Sequence, residues 1–142
     1  MAVLIVDAGP LVAIGDRRDP NRAAVQRVLR STRDDLVVAA PVTQEVDYLL
    51  GKFGGPAAQA AFLSDLAEQT FVVACLEPQE YHQIGSLARR YIALRPGLAD
   101  LANVVLAARF GTTRIITFDQ RHFRAMRPLQ GGAFTLLPWD QE

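Results

Sequence analysis

Val3-Leu4-Ile5-Val6-Asp7-Ala8-Gly9-Pro10 joins four apolar residues to an acid and a turn. A short, unbroken apolar run is the mark of a strand buried on both faces, as in a parallel sheet. Ala8-Gly9-Pro10 turns the chain, and Leu11, Val12 and Ile14 continue as a short helix ending near Gly15. The same alternation recurs along the sequence. Further strands are predicted at Leu36–Ala40, Phe71–Leu76, Arg114–Phe118 and Phe134–Leu137. Between them lie helical patterns. One starts at Asp19-Pro20, with Asp as cap and Pro at the first position. The next is capped by Thr43 and carries Val46, Leu49, Leu50 and Phe53, and Gly51, Gly54, Gly55 and Pro56 break it. An alanine-rich helix over Ala57–Glu68 buries Ala61, Phe62 and Leu66. Pro78 opens another with Tyr81, Ile84, Leu87, Ala88 and Tyr91 inward, and Leu98–Phe110 closes at Gly111. Strands separated by helices predict an α/β fold with a parallel, covered sheet.

Length and composition agree with one such domain over residues 1–142. Half of the residues are hydrophobic and 21% are charged, which excludes a disordered chain. No apolar run reaches the roughly 20 residues of a bilayer span and no stretch resembles a signal peptide, so the expectation is a cytoplasmic protein. Cys75 is the only cysteine, which excludes an internal disulfide and a multi-cysteine zinc site. The 15 cations and 15 acids cancel. Lys52 is the only lysine, so the cations are almost all arginine. Arginine forks suit phosphate, and a GC-rich coding sequence produces the same bias.

The acids carry the chemical information. Asp7 follows the first strand, Glu45 lies in the first turn after the second, Asp100 starts the Leu98–Phe110 helix, and Asp119 follows the fourth strand. Strand C-ends and the helix N-termini that follow them share one edge of a parallel sheet, where ligands bind. Asp7, Glu45 and Asp119 converge there by topology; Asp100 joins them if its helix starts at the same edge. Each has a plainer alternative: Asp100 and Asp119 as helix caps, Glu45 as a dipole partner, and Asp7 as a structural acid bonded to backbone amides. Four coincident caps on one edge are less economical than one shared site. Glu45 and Asp47 flank the apolar stripe through Val46 on opposite sides, and its position in the first turn favours Glu45. Clustered carboxylates need a cation, and without a Cys/His ligand set the fitting one is hard: Mg²⁺, with Mn²⁺ as the alternative. Such a site does phosphoryl chemistry. Phosphate-loop, dinucleotide and serine-elbow motifs are missing from the sequence, and Gly9 stands where a phosphoaspartate phosphatase needs a second Asp. His82 and His122 read as surface or supporting residues.

The runs Leu4–Ala13, Glu45-Val46, Leu98-Ala99-Asp100 and Ile115-Ile116-Thr117-Phe118-Asp119-Gln120-Arg121-His122-Phe123 resemble a PIN domain, most closely the toxins of VapBC toxin–antitoxin systems. The resemblance spans essentially the whole chain. It implies a five-stranded parallel sheet in the order 3-2-1-4-5 covered by helices on both faces, with Asp7 beside Asp119. It also implies a magnesium-dependent endoribonuclease whose catalytic and metal-binding residues are Asp7, Glu45, Asp100 and Asp119. A cognate VapB-like antitoxin, an RNA substrate and a homodimer are implied as well. Two positions depart: Ala8 and Gly9 stand where the family usually has Ser or Thr. A weakened PIN-like module that binds RNA or protein is therefore the alternative, followed by a phosphoesterase for a small substrate. Asn103, three residues after Asp100, could add an oxygen or be an ordinary polar helix residue. Arg22, Arg27, Arg30 and Arg33 share one helix arc, while Arg17, Arg18, Arg121 and Arg124 lie nearer the acidic edge. Leu49, Leu50, Phe53, Phe62 and Leu63, around Gly54-Gly55-Pro56, form either core or a groove for an antitoxin helix.

Overall fold

The computed structural model describes residues 2–140. In chain order its elements are β1 (Val3–Val6), α1 (Ala8–Gly15), α2 (Arg22–Ser31), β2 (Asp35–Ala39), α3 (Ala40–Phe53) and α4 (Pro56–Ala67). β3 (Val72–Ala74), α5 (Pro78–Arg90), α6 (Leu98–Arg109), β4 (Arg114–Ile116), α7 (Gln120–Ala125) and β5 (Thr135–Leu137) follow. The strands form one parallel sheet in the order β3-β2-β1-β4-β5, the order that the resemblance implies. β1 is central, with Ile5 opposite both Val37 and Ile115. Successive strand residues point to opposite faces, and all four of Val3–Val6 are at most 2% exposed, so helices cover both.

α6 is the buried helix. Every residue from Leu101 to Ala107 is buried, and the helix packs on β1, β2, α3 and α5. A helix apolar all round has to lie inside, which makes Asn103, with no exposed surface, conspicuous. No helix among the described residues is long and apolar enough to cross a membrane.

Several boundaries differ from expectation for identifiable reasons. The helix after β2 begins at Ala40, with Pro41 in its first turn, so Pro41 starts the helix rather than stopping the strand. Thr43 does not cap it; its hydroxyl donates back to the Ala40 carbonyl at 2.7 Å. Glu45 consequently lies in the second turn. Asp19-Pro20 forms a turn one step before α2, where Asp19 accepts from the Asn21 amide at 2.8 Å. Tyr81 and Ala61 are exposed. Glu80 takes the inward place expected of Tyr81 because Arg109 on α6 meets it with a two-nitrogen ion pair. That bond holds Glu80 below the usual carboxylate range. α7 is an additional helix, too short for its periodicity to show. α3 and α4 join through Gly55, whose φ of +86° is a left-handed conformation that glycine adopts without strain.

Candidate active site

Asp7, Ala8, Gly9, Glu45, Ala99, Asp100, Phe118 and Asp119 line one cleft of about 320 Å³ at the C-terminal edge of the sheet. All four sequence-predicted acids therefore line the same cavity. Asp47 lies on the other side of α3, where Gln59 of α4 donates to its carbonyl at 3.0 Å and to its carboxylate at 3.4 Å.

Asp7 is the buried member, 8% exposed. β1 carries it to the cleft, where its amide donates to the Ile116 carbonyl at 3.0 Å and so prolongs the ladder by one residue. Its carboxylate accepts from the Thr117 hydroxyl at 2.7 Å and from the Asn103 side-chain amide at 3.1 Å. Burial pushes Asp7 up to about 6, reinforced by the Asp100 and Glu45 charges; the Thr117 hydroxyl and Ala8 amide pull the other way. Asn103 thus turns its amide, not an oxygen, to Asp7, and its Oδ1 is buried without a hydrogen-bond partner.

Thr117 also accepts from the Asp119 amide at 3.0 Å, tying together the two acids that end neighbouring strands. A hydroxyl therefore reaches Asp7 from the residue after β4, although Ala8 and Gly9 supply none. Gly9 has a steric reason: a Cβ there would come within 2.9 Å of the Phe118 ring.

Asp100 and Asp119 each also serve as caps. Asp100 accepts from the Gly97 amide at 3.1 Å at the start of α6. Asp119 accepts from the His122 amide at 3.0 Å at the start of α7. Burial pushes Asp100 up, the Asp119 charge adds to this, and the Gly97 amide and His122 oppose it. His122 is no surface residue. Its Nδ1 lies 2.6 Å from Asp119 and 3.9 Å from Asp100, and its Nε2 lies 3.2 Å from the Leu94 carbonyl. Both ring nitrogens face acceptors, and only the imidazolium donates from both. Burial works against that charge, but the hydrogen bond to Asp119 and the charges of Asp119 and Asp100 raise His122 above 6.5 overall.

One ligand atom each of Asp100, Asp119 and His122 lie within 4.8 Å of one another. Asp7 and Glu45 share the cleft but stand outside this tight group. The donor set suits a hard divalent cation. It offers several carboxylate oxygens, burial that penalises leaving Asp7 and Asp100 ionised without a counter-charge, and an orphaned amide oxygen nearby. Arg124 is held by Asp140, and Arg121, in the first turn of α7 beside Asp119, is exposed. Arg17 and Arg18 are also exposed but do not lie at the acidic edge as expected: they follow the far end of α1, where Gly15 packs against Gly54 beyond the end of α3. On α2, Arg22 donates to the Ile14 carbonyl at 3.2 Å and so braces α1.

Thr117 and His122 are the residues that sequence reasoning missed or undervalued. The Thr-x-Asp spacing at 117–119 was the available signal for the first, and the Asp-x-x-His spacing at 119–122 for the second.

No protein-family model matches the chain. It is 41% identical over 135 residues to Ribonuclease VapC26 of Mycobacterium tuberculosis, a match covering 95% of this chain and 100% of that protein. Its fold is similar to the crystal structure of Mycobacterium tuberculosis VapC20, a toxin that cleaves the sarcin-ricin loop. That similarity has a TM-score of 0.78 at 16% identity and covers 89% of this chain and 98% of the other.

Proposed function

The chain belongs to the VapC ribonuclease family, and on that premise we propose that its acidic cleft is the active site of a toxin endoribonuclease. The observation that carries this reading is the meeting of Asp7, Glu45, Asp100 and Asp119, from separate elements, in one cleft. We assign Asp7, Asp100 and Asp119 as the residues that hold Mg²⁺, or Mn²⁺ in its place, with Glu45 completing the acidic set. A divalent cation there supplies positive charge against the scissile phosphate and makes a nearby water easier to ionise.

The chain's own groups do the rest. Thr117 and Asn103 fix the Asp7 carboxylate in one orientation, as outer hydrogen bonds do for metal ligands generally. His122 bridges the Asp119 carboxylate and the Leu94 carbonyl and so fixes Asp119. Glu45, exposed to solvent, is placed to take a proton from the attacking water. Arg121, exposed two residues after Asp119, meets the RNA backbone, a role for which arginine forks suit phosphate.

A cognate VapB-like antitoxin restrains the enzyme. Its apolar segment fits the groove lined by Leu11, Ile14, Leu50, Ala58 and Phe62 between α1, α3 and α4. Phe53 and Leu63, each more than half exposed, extend the apolar surface there. Phe62 itself is buried and supports the groove from within rather than anchoring the partner. A homodimer is part of this reading on family resemblance alone, and light scattering of the purified protein checks it. The test of function is cleavage of RNA with Mg²⁺ or Mn²⁺, set against EDTA and against Asp100→Asn.

A further inference from the structure

The cleft has one wall that its acids do not account for. Phe118 lines it beside Gly9, and the closeness of that glycine packs the ring down onto the turn after Asp7. The outer side of Phe118 meets Trp139, with ring centroids 5.9 Å apart and planes tilted by 50°. Trp139 is 40% exposed, yet it is not loosely held. Asp140 folds back on β5, donating its amide to the Leu136 carbonyl and accepting from the Leu136 amide, both at 2.7 Å. Arg124 of α7 grips the same carboxylate through both terminal nitrogens, at 2.9 and 2.6 Å. The indole is thus presented to solvent and fixed, at the C-terminal end of a strand next to β4. A rigid aromatic surface continuous with a phosphodiester-cleaving cleft matches the planar face of an unstacked base.

We propose that Trp139, backed by Phe118, is a stacking platform for one unpaired base of the RNA beside the scissile phosphate; this rests on the ribonuclease reading of the cleft. Any base offers a π-face, so the platform positions the strand without dictating sequence. A duplex keeps its bases stacked and cannot use it. The substrate is therefore single-stranded where it enters the cleft, and Trp139 is a positioning residue.

Trp139 is the only tryptophan in the chain, so its fluorescence reports this surface alone. The full chain, in EDTA at low ionic strength, is titrated with a single-stranded oligoribonucleotide of about 12 nucleotides, with an abasic strand of the same length, and with the duplex. The expected result is quenching by the base-bearing strand alone. In cleavage assays Trp139→Ala raises KM about tenfold with the loss confined to KM, and Trp139→Phe recovers most of it. Equal quenching by the abasic strand, or an unchanged KM in Trp139→Ala, overturns the proposal. So does a Trp139→Ala defect confined to antitoxin binding, which makes the indole a protein contact. Wild-type protein that quenches with RNA but never cuts it overturns the ribonuclease reading and leaves the platform standing.

Discussion

Asp7 carries a carboxylate that burial makes costly to ionise, and its consequences are measurable one residue at a time. Its folded value of about 6 stands above the ordinary 3.8. Between those values the folded state holds the proton more tightly than the unfolded one, so stability falls as pH rises through that window. The loss is about 3 kcal/mol at most once Asp7 is ionised without a cation. Asp7→Asn removes the charge. In EDTA the variant is expected to melt close to wild type near pH 3.5 and above it at pH 7.5, while cleavage is abolished; thermal denaturation at both pH values checks this. Thr117→Val leaves both Asp7 and the Asp119 amide short of a partner. It is expected to lose about 10- to 100-fold in cleavage or cation affinity, with Thr117→Ser close to wild type, as read by cation titration and initial rates. His122 has the opposite charge and the complementary sign. Its folded value lies above 6.5, so its stabilising contribution is complete below 6.5 and is lost as pH rises through the raised value. NMR of the metal-free protein is expected to find both ring nitrogens of His122 protonated at pH 6.5.

The elements show what was legible in the sequence and what was not. β1, β2 and β4 were readable because buried strands of a parallel sheet need unbroken apolar runs, and the acids at their ends were readable because topology sends them to one edge. The capping reading of Asp100 and Asp119 also holds: each caps a helix and lines the cleft, since helix starts and strand ends meet there. What escaped was set by distant partners. Glu80 turns inward because α6 brings Arg109 to it, and the far ring nitrogen of His122 meets a carbonyl 28 residues away, although its bond to Asp119 is local. Thr117, just past β4, supplies the hydroxyl that Ala8 and Gly9 withhold, and its reach to Asp7, 110 residues away, is set by strand pairing. α4 separates Phe62 from Leu63 by its own turn, because successive helix residues point about 100° apart, and that difference was legible. Phe62 is 5% exposed and Leu63 is 56% exposed. Phe62→Ala is accordingly expected to cost about 3–5 kcal/mol of stability. Leu63→Ala is expected to stay within about 0.5 kcal/mol in stability while weakening antitoxin binding by about 1–2 kcal/mol. Chemical denaturation and calorimetric titration separate the two.

Across the whole molecule, net charge is zero and says nothing of the site, because the acids that matter are concentrated at one sheet edge. That concentration couples folding to cation binding. Asp7 and Asp100 are raised by burial, and His122 is raised by its acidic neighbours, so the metal-free protein loses stability as pH climbs from about 4 to beyond 6.5. A cation that binds only the folded acids restores it. The most direct measurement follows cleavage of a defined single-stranded RNA by the full chain at pH 7.5 as Mg²⁺ or Mn²⁺ is titrated in after EDTA treatment, with thermal stability recorded in the same samples. The account predicts no cleavage in EDTA and a rise in rate and melting temperature with a common cation midpoint; Asp100→Asn shows neither. Full cleavage in EDTA, or Asp100→Asn protein that cuts like wild type, would contradict it.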